Sequence, residues 1–381
     1  MPELTVPATP ATERMPHVAI DRDALKANWR LLASRTPDAR TGAAVKANGY
    51  GLGASDVAEA LYEEGCRDFF VAWASEGAEV RRRLAHRPCH IFVLQGMDRS
   101  AAALCREASL VPVLSTPDDV AIWIEAGGSE RHAPAALQLE TGMNRLGLDE
   151  AEARRASELA RDGRLHLDLV MSHLASGDDR ASPQSEEQLV RFRDLVRLFP
   201  GVSRSLANSA GVFLGEAFHF DVTRPGIALY GGEAGLAETG LIRPVATLTA
   251  HVLQVRTGRK GEAAGYGAAA KLTRDTRIAT VGLGYADGYL RAESGAGTPI
   301  RSQLEGPHVF VAGARAPVLG RISMDLTLID VTDLPEGAVK PGDPVEFFGL
   351  NIAIDTVARS AGTISYELLT GLGPRVKRLW T

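Results

Sequence analysis

The segment GAAVKANGYG, residues 42–51, places a short apolar run directly before a lysine and a glycine-rich turn. The apolar part, Gly42–Val45, has the length of a buried strand, and seven further runs of this kind follow in the first two-thirds of the chain. The eight predicted strands are Gly42–Val45, Phe69–Trp73, Ile91–Leu94, Leu110–Leu114, Ala135–Leu139, Leu167–Met171, Ser205–Ala207 and Val222–Leu229.

The segments between these runs predict helices. Thr116 and Pro117 precede Asp118–Ala126, which pairs an N-cap residue with a proline in the first turn. Gln184–Phe199 spaces its leucines and phenylalanines along one face. Other helices are predicted over Asp56–Glu64, Glu76–Leu84 and Glu150–Arg161. Eight strands alternating with helices predict an α/β fold, a closed (β/α)8 TIM-like barrel, with a doubly wound open sheet as the alternative.

The pattern of apolar residues changes after about residue 240. The runs become short, β-branched and interrupted by glycine, which predicts a mainly β C-terminal domain. They are Val245–Val255, Thr276–Leu283, His308–Val311, Ala316–Leu319 and Thr327–Val331, before a helical segment at Ile354–Leu369. The predicted division is a disordered extension at 1–15, the barrel at 16–242 and the β domain at 243–381.

Composition excludes several classes of function. The 381 residues carry 42 basic and 47 acidic side chains, a net charge of −5, which disfavours a nucleic-acid binder and a polybasic membrane anchor. No apolar run is long enough to span a membrane, and the first residues do not have the pattern of a secretory signal. The three cysteines fit neither a disulfide framework nor a zinc site, so we expect a cytoplasmic protein with no metal and no nucleic-acid or membrane partner.

Barrel enzymes place their chemistry at the C-terminal ends of the strands, so the residues that follow each run are the candidates. Lys46 directly follows the first strand. Burial and neighbouring cations would lower its pKa and make a neutral amine available to form a Schiff base with an aldehyde. The alternative is a lysine that snorkels from the strand end into solvent.

The last two strands are followed by Asn208-Ser209 and by Arg224-Pro225-Gly226-Ile227. Barrels commonly bind phosphate at this position, although Ser209 could simply cap a short helix. A phosphorylated aldehyde would explain Lys46 and these residues together, and that ligand is pyridoxal 5'-phosphate (PLP).

Three other polar residues are candidates. Arg145 lies on a glycine-flanked loop, where it could pair with an anionic oxygen or form a surface ion pair. His173, at the end of the sixth run, could relay a hydrogen bond or be structural. Tyr266, in a Gly-Tyr-Gly turn, is a candidate proton carrier, although tyrosines in turns usually serve packing.

The chain resembles the alanine racemase family, which combines a PLP-binding barrel with a β domain. The resemblance covers nearly the whole chain past the N-terminal extension and is carried by seven motifs in order. They are AVKANGYG at 44–51, ETGMNRLG at 140–147, NS at 208–209, RPG at 224–226, GYG at 265–267, GRISMD at 320–325 and ISYE at 364–367.

The resemblance assigns a role to each matching residue. It implies that Lys46 binds PLP as a Schiff base and that Arg224 contacts the pyridine nitrogen. Arg145 would contact the phenolic oxygen of the cofactor and the substrate carboxylate. Tyr266 would be the second base, linked to Arg224 through His173. The implied phosphate site consists of Tyr50, Ser209, Gly226, Ile227 and Tyr366, with Asn208 nearby.

Racemisation removes the α-proton from one face of the substrate and returns a proton to the other, so two bases are needed. As the resemblance implies, Lys46 acts on D-alanine and Tyr266 on L-alanine. It also implies a homodimer in which Tyr266, Tyr285, Met324 and Asp325 reach the site from the other subunit. Met324 is expected to contact the substrate, with Asp325 and Tyr285 in support.

One position departs from the family pattern. Where many relatives have a carbamylated lysine that orients the arginine, this chain has Gln138. We expect Gln138 either to leave room for an anion such as chloride or to hydrogen-bond Arg145 directly.

The resulting prediction is a PLP-dependent isomerase, an alanine racemase that supplies D-alanine for peptidoglycan. Three alternatives were weighed. A racemase of broader or different specificity, for example for serine, has the same fold. A fold-related basic amino-acid decarboxylase uses a cysteine in its β domain, but here all three cysteines lie in the barrel. A non-catalytic PLP-binding protein would consist of the barrel alone.

Overall fold

The computed structural model describes residues 14–130, 132–235, 240–296 and 306–381. The predicted N-terminal extension, 1–15, lies outside these residues except for its last two. The strands are β1 (His17–Ile20), β2 (Arg40–Thr41), β3 (Ala43–Ala44), β4 (Asp68–Val71), β5 (His90–Val93), β6 (Val111–Leu114), β7 (Ala135–Gln138), β8 (Leu167–Met171), β9 (Ser203–Ser205), β10 (Val222–Thr223), β11 (Ala246–Gly258), β12 (Ala263–Ala264), β13 (Ala270–Lys271), β14 (Thr276–Val281), β15 (His308–Val311), β16 (Ala314–Pro317), β17 (Thr327–Asp330), β18 (Pro344–Phe348) and β19 (Lys377–Trp380). The helices are α1 (Arg22–Arg35), α2 (Lys46–Tyr50), α3 (Ala54–Glu63), α4 (Ala74–Leu84), α5 (Arg99–Glu107), α6 (Pro117–Trp123), α7 (Glu150–Arg161), α8 (Gln184–Leu195), α9 (Ser209–Leu214), α10 (Ile354–Ala361) and α11 (Ser365–Thr370).

The chain forms two compact units, Asp21–Val245 and a second unit that joins the segment up to Ile20 with Ala246–Thr381. The sequence predicts the boundary three residues earlier, after residue 242. It also assigns residues 16–20 to the barrel, whereas the structure has them in the β unit. The reason is that β1 pairs with β11 on one side and with β19 on the other.

The first unit is a closed barrel. Strands β3 to β9 pair in sequence order, all parallel, and β10 pairs in parallel with β2. Strands β2 and β3 are halves of one strand broken at Gly42, whose amide donates to the carbonyl of Thr223 at 2.9 Å. On the other side, the amide of Arg224 donates to the carbonyl of Ala207 at 2.9 Å. The eighth strand position is therefore bonded to both its neighbours, which confirms the barrel and excludes the open sheet.

Close packing between the strands explains why a glycine, Gly42, stands at the break between β2 and β3. A Cβ at Gly42 would lie 2.7 Å from the carbonyl oxygen of Asp68, so only glycine lets the strands approach here. The strand interior is apolar because parallel barrel strands are covered by helices outside and by layered side chains inside. Phe70 and Phe92, stacked with ring centroids 4.8 Å apart, belong to this buried set.

Most predicted barrel elements are present with shifted ends. Helix α7 has its predicted bounds, and Asp149 caps it by accepting the amide of Glu152 at 2.8 Å. The predicted strand Val222–Leu229 ends at Thr223, because Pro225 and Gly226 interrupt it and a short 3₁₀ turn follows. The structure also contains α1, α5, β1, β18 and β19, which the sequence analysis does not predict.

The second unit is mainly β, as the sequence predicts. The long strand β11 connects two parts of one eight-stranded sheet: its first half pairs with β1 and β18, and its second half pairs with β14, with a register shift between Val252 and Gln254. The order along the main path is β16-β15-β18-β11-β1-β19, while β14 pairs with β11 and β17 pairs with β14. Helices α10 and α11 occupy the predicted helical segment.

The described residues contain no helix that is both long and apolar enough to cross a membrane. They also contain no group of three or more histidine, cysteine or acidic side chains arranged to hold a metal ion.

Candidate active site

Lys46 lies at the C-terminal end of the first barrel strand, as predicted. The preceding amide, that of Val45, donates to the carbonyl of Phe70 at 2.8 Å and is the last backbone bond between these strands. The Lys46 side chain is partly buried. Its burial lowers the pKa of the amine, and the positive charges of Arg145 and Arg224 lower it further, while Glu76 opposes them. The ammonium form of Lys46 is therefore less stable here than in water.

The turn after Lys46 has a left-handed backbone. Ala47, Asn48, Gly49 and Tyr50 all have φ between 53° and 61°. For residues with a Cβ this conformation costs on the order of 1 kcal/mol each. Two side chains hold the turn: Asn48 Oδ1 accepts the amide of Ala54 at 3.0 Å, and a carboxylate of Glu76 accepts the amide of Ala47 at 2.8 Å.

Glu76 is a site residue that the sequence analysis missed. Its other oxygen, Oε2, accepts the amides of Ala72 at 2.8 Å and Trp73 at 3.3 Å. The sequence places Glu76 only at the start of a helix. The available signal was a glutamate in the first turn, which commonly bonds to backbone amides just upstream. The additional bond to Ala47, across a neighbouring strand, is visible only in the structure.

Ser209, Gly226 and Tyr50 come together beside this turn. Ser209 Oγ accepts the amides of Gly226 at 2.8 Å and Ala228 at 3.2 Å, so its own hydrogen remains to be donated. Tyr50 stacks on Tyr230 with centroids 4.5 Å apart. A Cβ at Gly226 would lie only 2.1 Å from Tyr50 Oη, so the tyrosine lies over a position that only glycine can occupy. Ile227 follows directly in the 3₁₀ turn and is fully buried.

The cap of α9 is Asn208 and not Ser209. Asn208 Oδ1 accepts the amide of Gly211 at 3.0 Å. The capping interpretation considered for Ser209 therefore belongs to its neighbour, and the serine hydroxyl faces the loop that follows β10.

Arg224 is a buried cation, 5% exposed, on the loop that follows β10. Its guanidinium donates to Ser205 Oγ, to the carbonyl of Ser172 at 2.5 Å and to the carbonyl of Leu206 at 3.5 Å. These acceptors are neutral, and no carboxylate pairs with Arg224 in the described part of the chain. Burial accordingly lowers the pKa of Arg224 to about 9.

His173 lies beside these cations. Burial lowers its pKa to about 3, with further contributions from Arg224, Arg145 and Lys46. The imidazole is thus neutral near pH 7 and can donate at one nitrogen and accept at the other. Its backbone carbonyl accepts from Gln188 Nε2 at 2.8 Å, which ties the strand end to α8.

Arg145 lies on an exposed loop whose shape is set by Glu140. The Glu140 carboxylate accepts the amides of Gly142 and Asn144, the latter at 2.9 Å. Within the residues that the structure describes, Arg145 has no ion pair, and Gln138 does not hydrogen-bond it. Of the two arrangements considered for Gln138, the direct bond to Arg145 is not present among the described residues; Gln138 is partly buried at the end of its strand and Arg145 is exposed.

The remaining predicted residues lie in the β unit. Tyr266, in a 3₁₀ turn, is 69% exposed, and Met324 is 54% exposed. The amide of Tyr285 donates to the carbonyl of Ser323 at 3.1 Å, which brings Tyr285 close to Met324 in the chain's fold. Asp325 pairs with Arg375 at 2.8 Å, an arginine that the sequence analysis missed and that also pairs with Asp287. Tyr366 lies on α11 and is 38% exposed.

The barrel residues fit PLP. The site combines an amine of lowered pKa, two arginines without a carboxylate partner in the described chain, and serine and tyrosine hydroxyls beside a glycine. A phosphate is recognised by hydroxyl and amide donors, and an anionic cofactor compensates buried positive charge. No acidic side chain of the described residues lies against Arg224, so a pyridine nitrogen there would meet a hydrogen-bond donor.

Comparison with known proteins identifies related chains. Residues 20–234 match the family "Alanine racemase, N-terminal domain" and residues 245–380 match "Alanine racemase, C-terminal domain". A Rhizobium meliloti protein named alanine racemase is 47% identical over 95% of this chain and 96% of its own length.

Two further relatives are 44% identical over 97% of this chain. One is a biosynthetic alanine racemase of Agrobacterium fabrum, covered over 95% of its length, and the other a catabolic alanine racemase of Rhizobium johnstonii, covered over 96%. The crystal structure of an alanine racemase from Bartonella henselae with covalently bound pyridoxal phosphate superposes with a TM-score of 0.88. The two chains are 34% identical, and the superposition covers 97% of this chain and all of the Bartonella henselae chain.

Proposed function

Because the chain belongs to the alanine racemase family, we propose that Lys46 and Tyr266 are the two bases that exchange the α-proton of alanine. The reaction of the family is the PLP-dependent interconversion of L-alanine and D-alanine, which makes the protein an isomerase. Lys46 would act on the D-enantiomer and Tyr266 on the L-enantiomer, each as base in one direction and as acid in the other.

The observation that carries this proposal is the state of Lys46. Its amine is at a strand end, is partly buried and feels two arginines, so its pKa is lowered. A neutral amine is the form that both attacks a carbonyl and removes a proton. An ordinary snorkelling lysine would not have its pKa lowered in this way.

The barrel residues would bind the cofactor as follows. Tyr50, Ser209, Gly226 and Ile227 would hold the phosphate, with Tyr366 and with Asn208 nearby. Arg145 would bind the phenolic oxygen and the substrate carboxylate. When bound, PLP supplies an electron sink that stabilises the carbanion left by removal of the α-proton.

Arg224 would control the choice of reaction. A guanidinium donates but does not accept, so Arg224 would leave a pyridine nitrogen bound to it without a proton. The ring would then be a weaker electron sink, and we expect Arg224 in this way to suppress transamination. His173, neutral and beside Arg224, would connect Arg224 to Tyr266 by hydrogen bonding.

A homodimer would complete the site. We propose that Tyr266, Tyr285, Met324 and Asp325 act from the partner subunit, which agrees with the solvent exposure of Tyr266 and Met324 in a single chain. Large exposed apolar side chains are common at protein interfaces. Tyr285 and Tyr366 would narrow the entrance to alanine-sized substrates. We further propose a cytoplasmic enzyme whose D-alanine supplies peptidoglycan, and the 44% identity to a relative named as biosynthetic supports an anabolic role.

The test begins with purified protein and added PLP. Borohydride reduction followed by peptide mapping should place a pyridoxyl group on Lys46. Lys46→Ala should lose D-alanine formation from L-alanine by about a thousandfold or more, because both cofactor attachment and one base are removed. Lys340→Ala, an exposed lysine, is the matched control and should leave the rate unchanged.

The second base is tested by proton exchange in D₂O. Tyr266→Phe should lose racemisation by about a hundredfold or more, while Lys46 still exchanges the α-proton of D-alanine. Pyridoxyl on another residue would refute the role of Lys46. Equal loss of exchange from both enantiomers in Tyr266→Phe would refute the division between two bases.

A further inference from the structure

We propose that Glu76 is a positioning residue for Lys46: one carboxylate ties the turn that carries Lys46 to the end of the neighbouring barrel strand. This inference rests on the proposed role of Lys46. Glu76 does not contact the reacting atoms in this assignment; it acts through the backbone on either side of them.

The first argument is the geometry of the two carboxylate oxygens. Oε1 accepts the amide of Ala47, one residue after Lys46, at 2.8 Å. Oε2 accepts the amide of Ala72, one residue after β4, at 2.8 Å, and that of Trp73 at 3.3 Å. The ladder between β3 and β4 ends with the bond from Val45 to Phe70. Beyond that bond no backbone hydrogen bond of the described residues joins the two strands, and the Glu76 carboxylate links them instead by accepting one amide from each side.

The second argument is the conformation that the carboxylate holds. Ala47 begins the left-handed turn, in which the five successive residues up to Gly51 have positive φ. A strained segment persists only where surrounding interactions determine it. The same turn links Lys46 to Tyr50, so its shape sets the separation between the amine and the hydroxyl assigned to the phosphate.

The third argument is charge. Lys46 faces Arg145, Arg224 and the neutral His173, and Glu76 is the acidic group acting on it. No arginine or lysine pairs with Glu76 in the described ranges, so main-chain amides hold the carboxylate without cancelling its charge. Glu76 thus partly offsets the lowering of the Lys46 pKa, which suits a residue that must both remove and return a proton.

Glu76→Gln separates these effects from simple loss of a side chain. The amide of glutamine has one acceptor oxygen and no charge, so it can serve one strand but not both. Glu76→Asp keeps the charge but is one methylene shorter and cannot span the same distance. Glu79→Gln is the matched control, because Glu79 is exposed, on the same helix, and loses the same charge.

The geometric readout is hydrogen exchange of backbone amides in the PLP-free protein. We expect the amides of Ala47 and Ala72 to exchange about tenfold faster in Glu76→Gln and in Glu76→Asp, since a charge-assisted bond is lost or lengthened. Glu79→Gln should match the wild type. Unchanged exchange at both amides in Glu76→Gln would overturn the proposal, whatever the cofactor does.

The electrostatic readout is competitive acetylation of Lys46 against Lys340 as a function of pH. The midpoint for Lys46 should move to lower pH by about half a unit in Glu76→Gln and stay in place in Glu76→Asp and Glu79→Gln. If Glu76 acted only through the structure of the turn, the midpoint for Lys46 would shift equally in Glu76→Gln and Glu76→Asp. That result would show that the charge of Glu76 does not affect Lys46.

Cofactor binding gives the functional readout. Glu76→Gln should weaken PLP binding by about tenfold, and Glu76→Asp should recover part of it. Borohydride mapping on the wild type is done alongside. If Lys46 carries no pyridoxyl group, the proposed function fails, while the amide-exchange result still decides whether Glu76 holds the turn.

Discussion

At the N-terminal end of the barrel strands, Asp68 accepts hydrogen bonds from Arg40 Nε at 2.9 Å and His90 Nδ1 at 3.0 Å. At the C-terminal end, Lys46 and Arg224 have no carboxylate pressed against them in the described chain, and the pKa of each is lowered. The same strands thus carry paired charges at one end and unpaired cations at the other.

This contrast separates stability from chemistry. Asp68 is 1% exposed, yet hydrogen bonds from His90 and Arg40 outweigh its burial and lower its pKa. Close by, Arg204 and Asp221 form a two-point pair, with the shorter contact at 2.7 Å. Removing one partner of a paired buried charge destabilises the fold, whereas an unpaired buried cation is itself destabilising until an anionic ligand binds. Substitutions at the two ends should therefore have opposite consequences.

The largest expected effect is on stability, from Asp68→Ala. Removing the buried carboxylate leaves Arg40 and His90 without their shared partner, and we expect a loss of about 2–3 kcal/mol in the free energy of unfolding. Urea unfolding of the PLP-free protein measures it. The rate of alanine racemisation should stay within about twofold, since the C-terminal ends of the strands are untouched.

Asp38→Ala is the control for this prediction. Asp38 is an exposed aspartate without an ion pair in the part of the chain described, and its removal should change stability little. A large loss of rate in Asp68→Ala at temperatures where the variant is folded would contradict the division between the two ends.

A smaller effect, about 1 kcal/mol in the free energy of unfolding, is expected from pH, and its sign should differ between the two ends of the barrel strands. The hydrogen bond to Asp68 raises the pKa of His90, with Asp168 adding to it, so His90 stabilises the fold below about pH 6.5 and loses this as the pH rises through its raised pKa. The pKa of His173, about 3, lies below its ordinary value, so protonation of the unfolded chain removes stability as the pH falls below about 6.5.

Urea unfolding of the PLP-free variants at pH 5.5 and pH 8 measures both signs. His90→Gln should be most damaging at pH 5.5 and less so at pH 8. His173→Gln should gain on the wild type as the pH falls over the same interval. Changes of the same sign in both variants would show that the two ends do not differ in charge pairing.

The smallest expected effect concerns the anion near Arg145. Since Gln138 does not reach Arg145, we expect an anion such as chloride to compensate the arginine. Replacing chloride by gluconate at constant ionic strength should raise the KM for alanine about threefold, close to the value of one exposed charge pair. The variant Gln138→Glu supplies a fixed charge, and its KM should not respond. If the wild-type KM is also unaffected by replacing chloride, no chloride ion compensates Arg145.

The sequence predicts the parts of this molecule that local patterns determine. Apolar runs followed by polar residues place Lys46, His173, Ser209 and Arg224 at strand ends, because side-chain order along a strand is a local property. The end of β10 was predicted too late because the apolar residues from Ile227 onward continue the pattern while Pro225 breaks the strand. Short strands such as β1 and β19, with four residues each, have no pattern long enough to detect.

The relation between distant segments could not be predicted in the same way. The bond from Glu76 to Ala47 joins different elements, and the loop of Arg145 depends on amides gathered by Glu140. The absence of a Gln138–Arg145 bond depends on the depth of one side chain and the exposure of the other. Such contacts follow from tertiary geometry, and neither propensity nor spacing contains them.

The pairing of β1 has a consequence for how the protein is made. Strand β1 is synthesised before the barrel, but its partners β11 and β19 both follow the barrel in the chain. The barrel can close once β10 has emerged, and its two ends are joined by a backbone bond from Asp21 to Val245 at 2.9 Å. Domains generally fold as units during synthesis. The barrel is thus inserted between β1 and the rest of the β unit, and we expect it to fold before β1 can pair with β11 and β19.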